Sequence, residues 1–492
     1  MIFLNALETE LNTTLTDNGA KAYSSTMNYC LDLFGSIAAS RNNLDNARKI
    51  FARAYQANPV PSILILFWAR DIRGGQGERN VFRELFKYLA TQDEQAVRKV
   101  LPLVYYYGRW DDLFVLEDTN LWSDVLNLIQ KQLFYDICSN DDHDSVSLLA
   151  KWLPSINASS DDSKRLGRKI AAHLGWSERQ YRKTLTSLRT KIRIVEHNMC
   201  AKEWSEIDYS TLPSRAAFMY RKAFQKQDGV RYNEYLNKVE KGEAKINAAT
   251  LYPYDIVHQY LYKGVRADKT IDLQWAALPN YMEGNEFNGL VVADVSGSMS
   301  ISSNGLPMSV SISLAMYIAE RNTSAVWKDK FLTFSSAPKL QTIVGKTIGD
   351  KIANLSNAEW GGSTDLMAVF KSVLSAAKAN QVPANEMPQK LIIVSDMQFD
   401  IACKSNKRTN FEQVQKLYRE SGYELPQLIF WNVNGNANVP VKADDSGTAL
   451  VSGCSPSILK SILSETQITP VDTMLETIYS DRYQPLIQAL TE

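Results

Sequence analysis

From the N-terminus to about residue 264 the apolar positions recur at helical spacing, as in Ile63-Leu64-Leu66-Phe67, Val81-Phe82-Leu85-Phe86 and Leu101-Leu103-Val104. This periodicity predicts an all-α region. The breaks are Gly-rich or Pro-initiated, such as Arg73-Gly74-Gly75-Gln76-Gly77 and Leu101-Pro102, which suits short helices joined in antiparallel pairs. Helix density, rather than a visible repeat length, points to a HEAT-like array of stacked hairpins. After Gly264 the pattern turns polar and irregular up to Glu286-Phe287-Asn288-Gly289. Continuous apolar runs then appear at 290–294, 330–334, 390–396 and 427–433, separated by helical patterns at Met308 to Glu320, Leu366 to Ala379 and Phe411 to Glu420. Buried strands alternating with helices predict a mostly parallel sheet covered on both faces. The expected fold is therefore α + α/β: an α-helical repeat domain over residues 1–285, then a doubly wound, Rossmann-like domain over residues 286–492.

In such sheets ligands sit beyond the C-terminal ends of the strands, so the residues there carry the candidate chemistry. The first strand runs into Asp294-Val295-Ser296-Gly297-Ser298, which puts three oxygen-bearing side chains on alternate residues of one loop. Trp360-Gly361-Gly362-Ser363-Thr364-Asp365 precedes a helix, where Thr364 offers a hydroxyl and the glycines allow close backbone approach. The third strand ends in Ser395-Asp396, a carboxylate at the same edge. A D-x-S-x-S string is common by itself, and capping and turn chemistry is the competing account. The conjunction of three segments at strand ends and a helix start is what points to a metal site built from Asp294, Ser296, Ser298, Thr364 and Asp396. Oxygen donors of this kind suit a small hard cation, Mg2+ first, with Mn2+ or Ca2+ as alternatives. Asp365 reads instead as a helix N-terminal residue. Two carboxylates and several neutral hydroxyls leave such an ion incompletely neutralised, with a position open to an outside carboxylate or phosphate. Hydrolysis would want a positioned base or a second metal, and His143, His173, His197 and His258 all precede the sheet region, so no enzyme is expected.

Length and charge change the picture only locally. A chain of 492 residues with 45% apolar and 22% charged positions is ordinary for two or three globular domains. Its 54 basic residues balance 54 acidic ones, so any nucleic-acid affinity must come from a patch. One stretch qualifies: Lys164, Arg165, Arg168, Lys169, Arg179, Arg182, Lys183, Arg189, Lys191 and Arg193 stand against the single acid Glu178, with Trp176 and Tyr181 interleaved. Cationic groups beside stacking rings are what a small structured or single-stranded RNA needs, and a solvated helical face is the plainer reading. The glycines of Arg73 to Gly77 lack the G-x-x-x-x-G-K-[ST] pattern and read as a charged turn between helices. Tyr105 to Asp112 reads as a packed corner between helices. Cys30, Cys138, Cys200, Cys403 and Cys454 include no C-x-x-C pair, and the start has no basic n-region with an apolar core. A cytoplasmic protein with no membrane contact is expected.

These motifs carry two resemblances. The stretches Ala69-Arg70-Asp71-Ile72-Arg73-Gly74-Gly75-Gln76-Gly77-Glu78-Arg79, Tyr107-Gly108-Arg109-Trp110-Asp111-Asp112, Lys151-Trp152-Leu153-Pro154, Tyr181-Arg182-Lys183, Val292 to Met299 and Ser395 to Asp400 resemble the family catalogued as domain of unknown function 2828. The metal motif resembles the metal-ion-dependent adhesion site of von Willebrand factor A domains. That resemblance implies direct ligation by Ser296 and Ser298, by Thr364 in one state, and by Asp294 and Asp396 directly or through water. A helical half followed by such a domain is similar in architecture to the Ro autoantigen proteins, whose helical repeats bind small RNAs. The expected function is a non-catalytic binding scaffold, either a Ro-like RNA-binding protein with a Mg2+-binding domain or a metal-dependent docking component that takes an acidic residue from a partner protein.

Overall fold

The structure, a computed structural model, describes residues 10–139, 146–192, 194–333, 338–356, 364–400, 409–435, 438–463 and 469–492. The strands among them are β1 (Thr13–Leu15), β2 (Lys21–Tyr23), β3 (Gly289–Ala293), β4 (Lys330–Thr333), β5 (Lys339–Thr342), β6 (Lys390–Ser395), β7 (Gln427–Asn432) and β8 (Thr448–Ser452). The first two form an antiparallel hairpin, and the other six make one mixed sheet in the order β5-β4-β3-β6-β7-β8. All other regular elements among the described residues are helices, so the class is α + α/β.

Every residue of β3, β7 and β8 is buried, because the sheet is parallel at its centre and covered on both faces. One face packs Leu290, Val292, Leu391, Ile393, Leu428 and Phe430 against the helices Leu366–Ala379 and Asn410–Ser421. The alternate positions Val291, Ala293, Ile392 and Val394 are equally buried, and the helix Leu306–Arg321 packs against β3, β4 and β6. Four strands and the three helices between them lie where the apolar runs place them. The runs did not reveal β5, β8 or the hairpin. β5 is a polar, exposed edge strand paired antiparallel to β4, and Lys-Leu-Gln-Thr has no apolar face to detect. β1 and β2 are three residues each, too short for a period. The N-terminal half is accordingly helical apart from this hairpin.

The chain forms two compact units, residues 1–81 with 248–483, and residues 82–247 with 484–492. In the first, the N-terminal residues pack against β8 and the loops beyond β6 and β7. The Tyr23 and Val439 backbones exchange hydrogen bonds of 3.0 and 2.9 Å, the Ser452 hydroxyl donates to the Phe34 carbonyl at 2.7 Å, and Gly435 N–H donates to the Ala39 carbonyl at 2.9 Å. The turn at residues 71–78 follows the helix Pro59–Arg70 and belongs to the same assembly. A Cβ at Gly75 would run into the Trp68 carbonyl, and Gly77 sits at φ +67° against the Tyr252 ring. The Gln76 side-chain oxygen accepts the Ser455 N–H at 2.9 Å and the Gly75 carbonyl accepts the Ser457 hydroxyl at 3.1 Å. The stretch is a turn between two helices, as expected, and its glycines serve close packing.

The fully buried Asp71 carboxylate anchors this turn by accepting Arg482 Nε and Nη2, both at 2.8 Å, while Tyr483 adds its hydroxyl at 3.3 Å. In the second unit, Tyr105 stacks on Trp110 with centroids 3.9 Å apart, and Arg83 pairs with Asp111 and the buried Asp112 at 2.8 and 2.7 Å. This is the packed corner the sequence suggested. Asp71→Ala strands a guanidinium and a hydroxyl and is expected to lower the unfolding free energy by about 3 kcal/mol. Asp124→Ala, whose pair with Arg98 is partly exposed, should cost less than about 1 kcal/mol; urea denaturation of both variants measures the contrast.

Candidate metal centre

β3 and β6 run side by side in parallel with Ala293 opposite Val394. From this pair the chain builds outward in opposite directions, to β4 and β5 on one side and to β7 and β8 on the other. Strand ends at such a switch point open a crevice. Asp294 is the first residue beyond β3 and Asp396 the first beyond β6, so the register itself brings the two carboxylates to one edge.

Local hydrogen bonds then fix them. Asp294 N–H donates to the Val394 carbonyl at 2.9 Å. One Asp294 carboxylate oxygen accepts Ser296 N–H at 2.9 Å and the other accepts the Ser395 hydroxyl at 2.6 Å. The Ser296 and Ser298 hydroxyls lie 3.0 Å apart, and Ser298 in turn hydrogen-bonds the Asp396 side chain. Asp396 Oδ1 accepts Gln398 N–H at 3.2 Å. Four of the five expected residues therefore meet in one network. Thr364 is buried and its carbonyl accepts Asp400 N–H at 2.9 Å, which ties it to the loop that follows Asp396. Residues 360–363, the glycine-bearing part of that motif, lie outside the described residues. Asp365 caps the helix Leu366–Ala379 by accepting Ala368 N–H at 2.8 Å, the N-terminal role expected of it.

The electrostatics follow from burial. Removal from water and then the nearby Asp396 charge push the Asp294 carboxyl from 3.8 up to about 6. Burial also raises Asp396, against the lowering effect of hydrogen bonds from Gln398 and Ser298, and the Asp17 carboxylate adds to the rise. Among the described residues no three His, Cys, Asp or Glu side chains gather as a metal-binding group. The donor set gathered here is two carboxylates plus two serine hydroxyls, all hard oxygens, and its chemistry fits a small hard cation that keeps part of its water.

The basic stretch divides on inspection. Arg165 and Lys169 both pair with Glu117, which they draw down to about 2 through hydrogen bonds and charge. Lys164 pairs with Asp161 at 2.9 Å and Arg168 with Glu178 at 2.9 Å. Arg189 is a structural clamp, donating to the Ala150 and Leu153 carbonyls, both at 2.8 Å, and to the Ser155 hydroxyl at 2.9 Å. Lys191 Nζ lies 3.4 Å from the Ser139 carbonyl, and Arg193 falls outside the described residues. Tyr181 is fully buried with its hydroxyl on the Pro154 carbonyl at 3.0 Å, so it is no stacking platform. The exposed Arg179, Arg182 and Lys183 line a groove of about 690 Å³ with Asn157 and Thr186.

Two contributors to the first unit escaped the sequence reading. His258 Nδ1 lies 2.9 Å from the Ser309 hydroxyl, which itself donates to the Gly305 carbonyl at 3.0 Å. The β1–β2 hairpin meets the loop after Asp396, a long-range pairing that no local pattern announces.

Residues 16–100 and 117–285 match the family described as Domain of unknown function (DUF2828), and residues 288–484 match the family described as Domain of unknown function (DUF7788). An uncharacterized protein of Acanthamoeba polyphaga mimivirus is 30% identical over 506 residues, covering 95% of this chain and 87% of its own length. No helix among the described residues is long and apolar enough to cross a membrane.

The raised Asp294 carboxyl favours the protonated folded protein. That contribution to stability is complete below the ordinary carboxylate range and is lost as pH rises through about 6. Asp294→Asn removes the titration, so in EDTA its stability relative to wild type should grow by about 2 kcal/mol between roughly pH 4 and pH 8. Urea melts across that range test this, and a difference that does not vary with pH would contradict it.

Proposed function

The chain belongs to the family described as Domain of unknown function (DUF2828), and on that footing we propose that it is a non-catalytic binding scaffold that docks an acidic group of a partner protein on one bound Mg2+. The sheet unit is read as a von Willebrand factor A type domain, with Mn2+ or Ca2+ as possible substitutes for Mg2+. The observation that carries this reading is the meeting of Asp294, Ser296, Ser298 and Asp396 at the switch point of the sheet. Ser296 and Ser298 would hold the ion directly, Asp294 and Asp396 directly or through water, and Thr364 directly in one state. When bound, the cation supplies a partly neutralised positive charge for an outside carboxylate. The protein's own residues supply orientation: Ser395 and Ser296 N–H hold the Asp294 carboxylate from both sides, and Gln398 N–H holds Asp396. The docking reading outweighs hydrolysis because the Ser309 hydroxyl beside His258 is buried and already donates to a carbonyl. Unpaired thiols at Cys30, Cys138, Cys200 and Cys454 suit a reducing, cytoplasmic setting.

A second reading rests on a different observation, the groove lined by Arg179, Arg182 and Lys183. In that reading the helical unit, taken as a HEAT-like and Ro-like array, binds a small structured or single-stranded RNA through its phosphates.

Calorimetric titration with Mg2+ tests the first reading. Wild type should bind one ion, Asp294→Ala and Ser296→Ala should lose most of the heat, and a partner recovered from extract should be released by EDTA; a partner retained in both EDTA and Asp294→Ala would reject docking. For RNA, reversing Arg182 and Lys183 to Glu should weaken binding by about tenfold or more at low salt while Asp294→Ala leaves it unchanged. Binding that is insensitive to both salt and the reversal would dismiss the groove.

A further inference from the structure

The cation site proposed above draws its strands from one end of the chain, yet the loop that carries Asp396 is held by the other end. Thr16, at the start of the β1–β2 turn, is buried, and its hydroxyl donates to the Phe399 carbonyl at 2.8 Å. Asp17 N–H donates to Gln398 Oε1 at 2.6 Å, and Asn18 Nδ2 donates to the Gln398 carbonyl at 2.7 Å. Gly19 and Asp400 form an antiparallel bridge. Three successive residues of the loop, Gln398 to Asp400, are thus pinned by four successive residues of the hairpin.

The pinned loop touches the site at two points. Gln398 N–H holds Asp396 Oδ1 at 3.2 Å, and Asp400 N–H holds the Thr364 carbonyl at 2.9 Å. The segments that carry Asp396 and Thr364 are therefore joined through residues 398–400. Residues 397–400 lie outside the strands of the sheet, so their conformation depends on what they are bonded to. The bonds to Thr16 and Asn18 satisfy carbonyls that the loop would otherwise have to turn elsewhere. The Asp17 carboxylate also faces this region, since its charge acts on Asp396.

We propose that the hairpin tip, Thr16 and Asn18 above all, is a positioning element of the cation site, setting the Asp396 loop at the geometry a small cation requires. This rests on the cation-site reading above. It accounts for the presence of both family-matched stretches in one chain: residues 288–484 contain the ligands, while residues 16–19, in the other stretch, hold them in place. Mg2+ demands near-ideal octahedral geometry, whereas Ca2+ tolerates irregular and larger shells. A loosened loop should therefore harm Mg2+ binding more than Ca2+ binding, a signature that loss of general stability does not produce.

The experiment is calorimetric titration of the full chain with Mg2+ and, separately, Ca2+. Thr16→Val and Asn18→Ala should each weaken Mg2+ about tenfold and Ca2+ distinctly less, and Thr16→Ser, which keeps the hydroxyl, should restore wild-type values. Ser452→Ala serves as the comparison, because it removes another buried bond between the N-terminal segment and the sheet, to Phe34, at a different place. Thr16→Val and Asn18→Ala proteins with wild-type Mg2+ affinity, or a Ser452→Ala protein with the same selective loss, would overturn the proposal while leaving the cation site standing. A wild-type chain that binds neither ion would remove the cation site itself, and the proposal with it.

Discussion

The parallel register of β3 and β6 is the constraint on which the rest of the sheet unit depends. Because Ala293 stands opposite Val394, the residues that follow, Asp294 and Ser395, are within one hydrogen bond of each other, and Asp396 is next in line. A slip of one residue in either strand would invert the faces of that strand. Here a slip of β6 would turn Ile392 into the layer now filled by Ile393 and carry Ser395 away from the Asp294 carboxylate. Burial on both faces makes the slip costly, so the same apolar residues that form the core also determine where the acids emerge. Core and site are one arrangement read at different ends of the strands.

That arrangement leaves β7, β8 and the loops beyond them to be covered, and the chain covers them with its own beginning. The contacts of Phe34, Gly35 and Ala39 with Ser452, Asn432 and Gly435 are helix-terminal backbone carbonyls meeting side-chain or backbone donors, which is how short helices can end in a buried place. The Asp71–Arg482 pair and the Gln76–Ser455 bond extend the same seam. Compact units and sequence texture consequently divide the chain differently. The boundary expected from sequence lies at residues 285–286, where the two family matches also meet, while residues 1–81 fold with the sheet. Closing so long a loop adds little entropy beyond a shorter one, so the partition is physically inexpensive.

What the sequence disclosed was whatever depends on local pattern. The runs at 290–294, 390–396 and 427–433 read as buried strands because two covered faces demand continuous apolar residues, and Asp294 and Asp396 were visible as acids ending such runs. Asp365 was readable as a cap because the helix behind it begins at Leu366. Hidden were the features that arise from distant pairing: the hairpin against Gln398, His258 against Ser309, and β8, whose Thr-Ala-Leu-Val-Ser has too little apolar bulk to stand out. The glycines of the 71–78 turn showed that a turn was present and not what it packs against, since a missing Cβ signals close approach without naming the neighbour.

The basic stretch shows the same limit in electrostatic form. Ten cations against one acid look like a field when counted along the chain, but Glu117, far from them in sequence, lies between Arg165 and Lys169 and keeps its charge down to a pH of about 2. Arg189 is directed inward to carbonyls, where burial lowers its pKa. Charge that is matched by a carboxylate or held by a carbonyl attracts phosphate only after that partner is given up, and exposed pairs return little of the cost. Among the described residues of this stretch, the positive surface that remains is the short row Arg179, Arg182 and Lys183 on one helical face, with Arg182 Nε alone 3.4 Å from the Glu178 carbonyl of its own helix. Three cations can neutralise about three phosphates. A nucleic-acid contact made there would be narrow, and any selectivity would have to come from the shape of the groove rather than from charge.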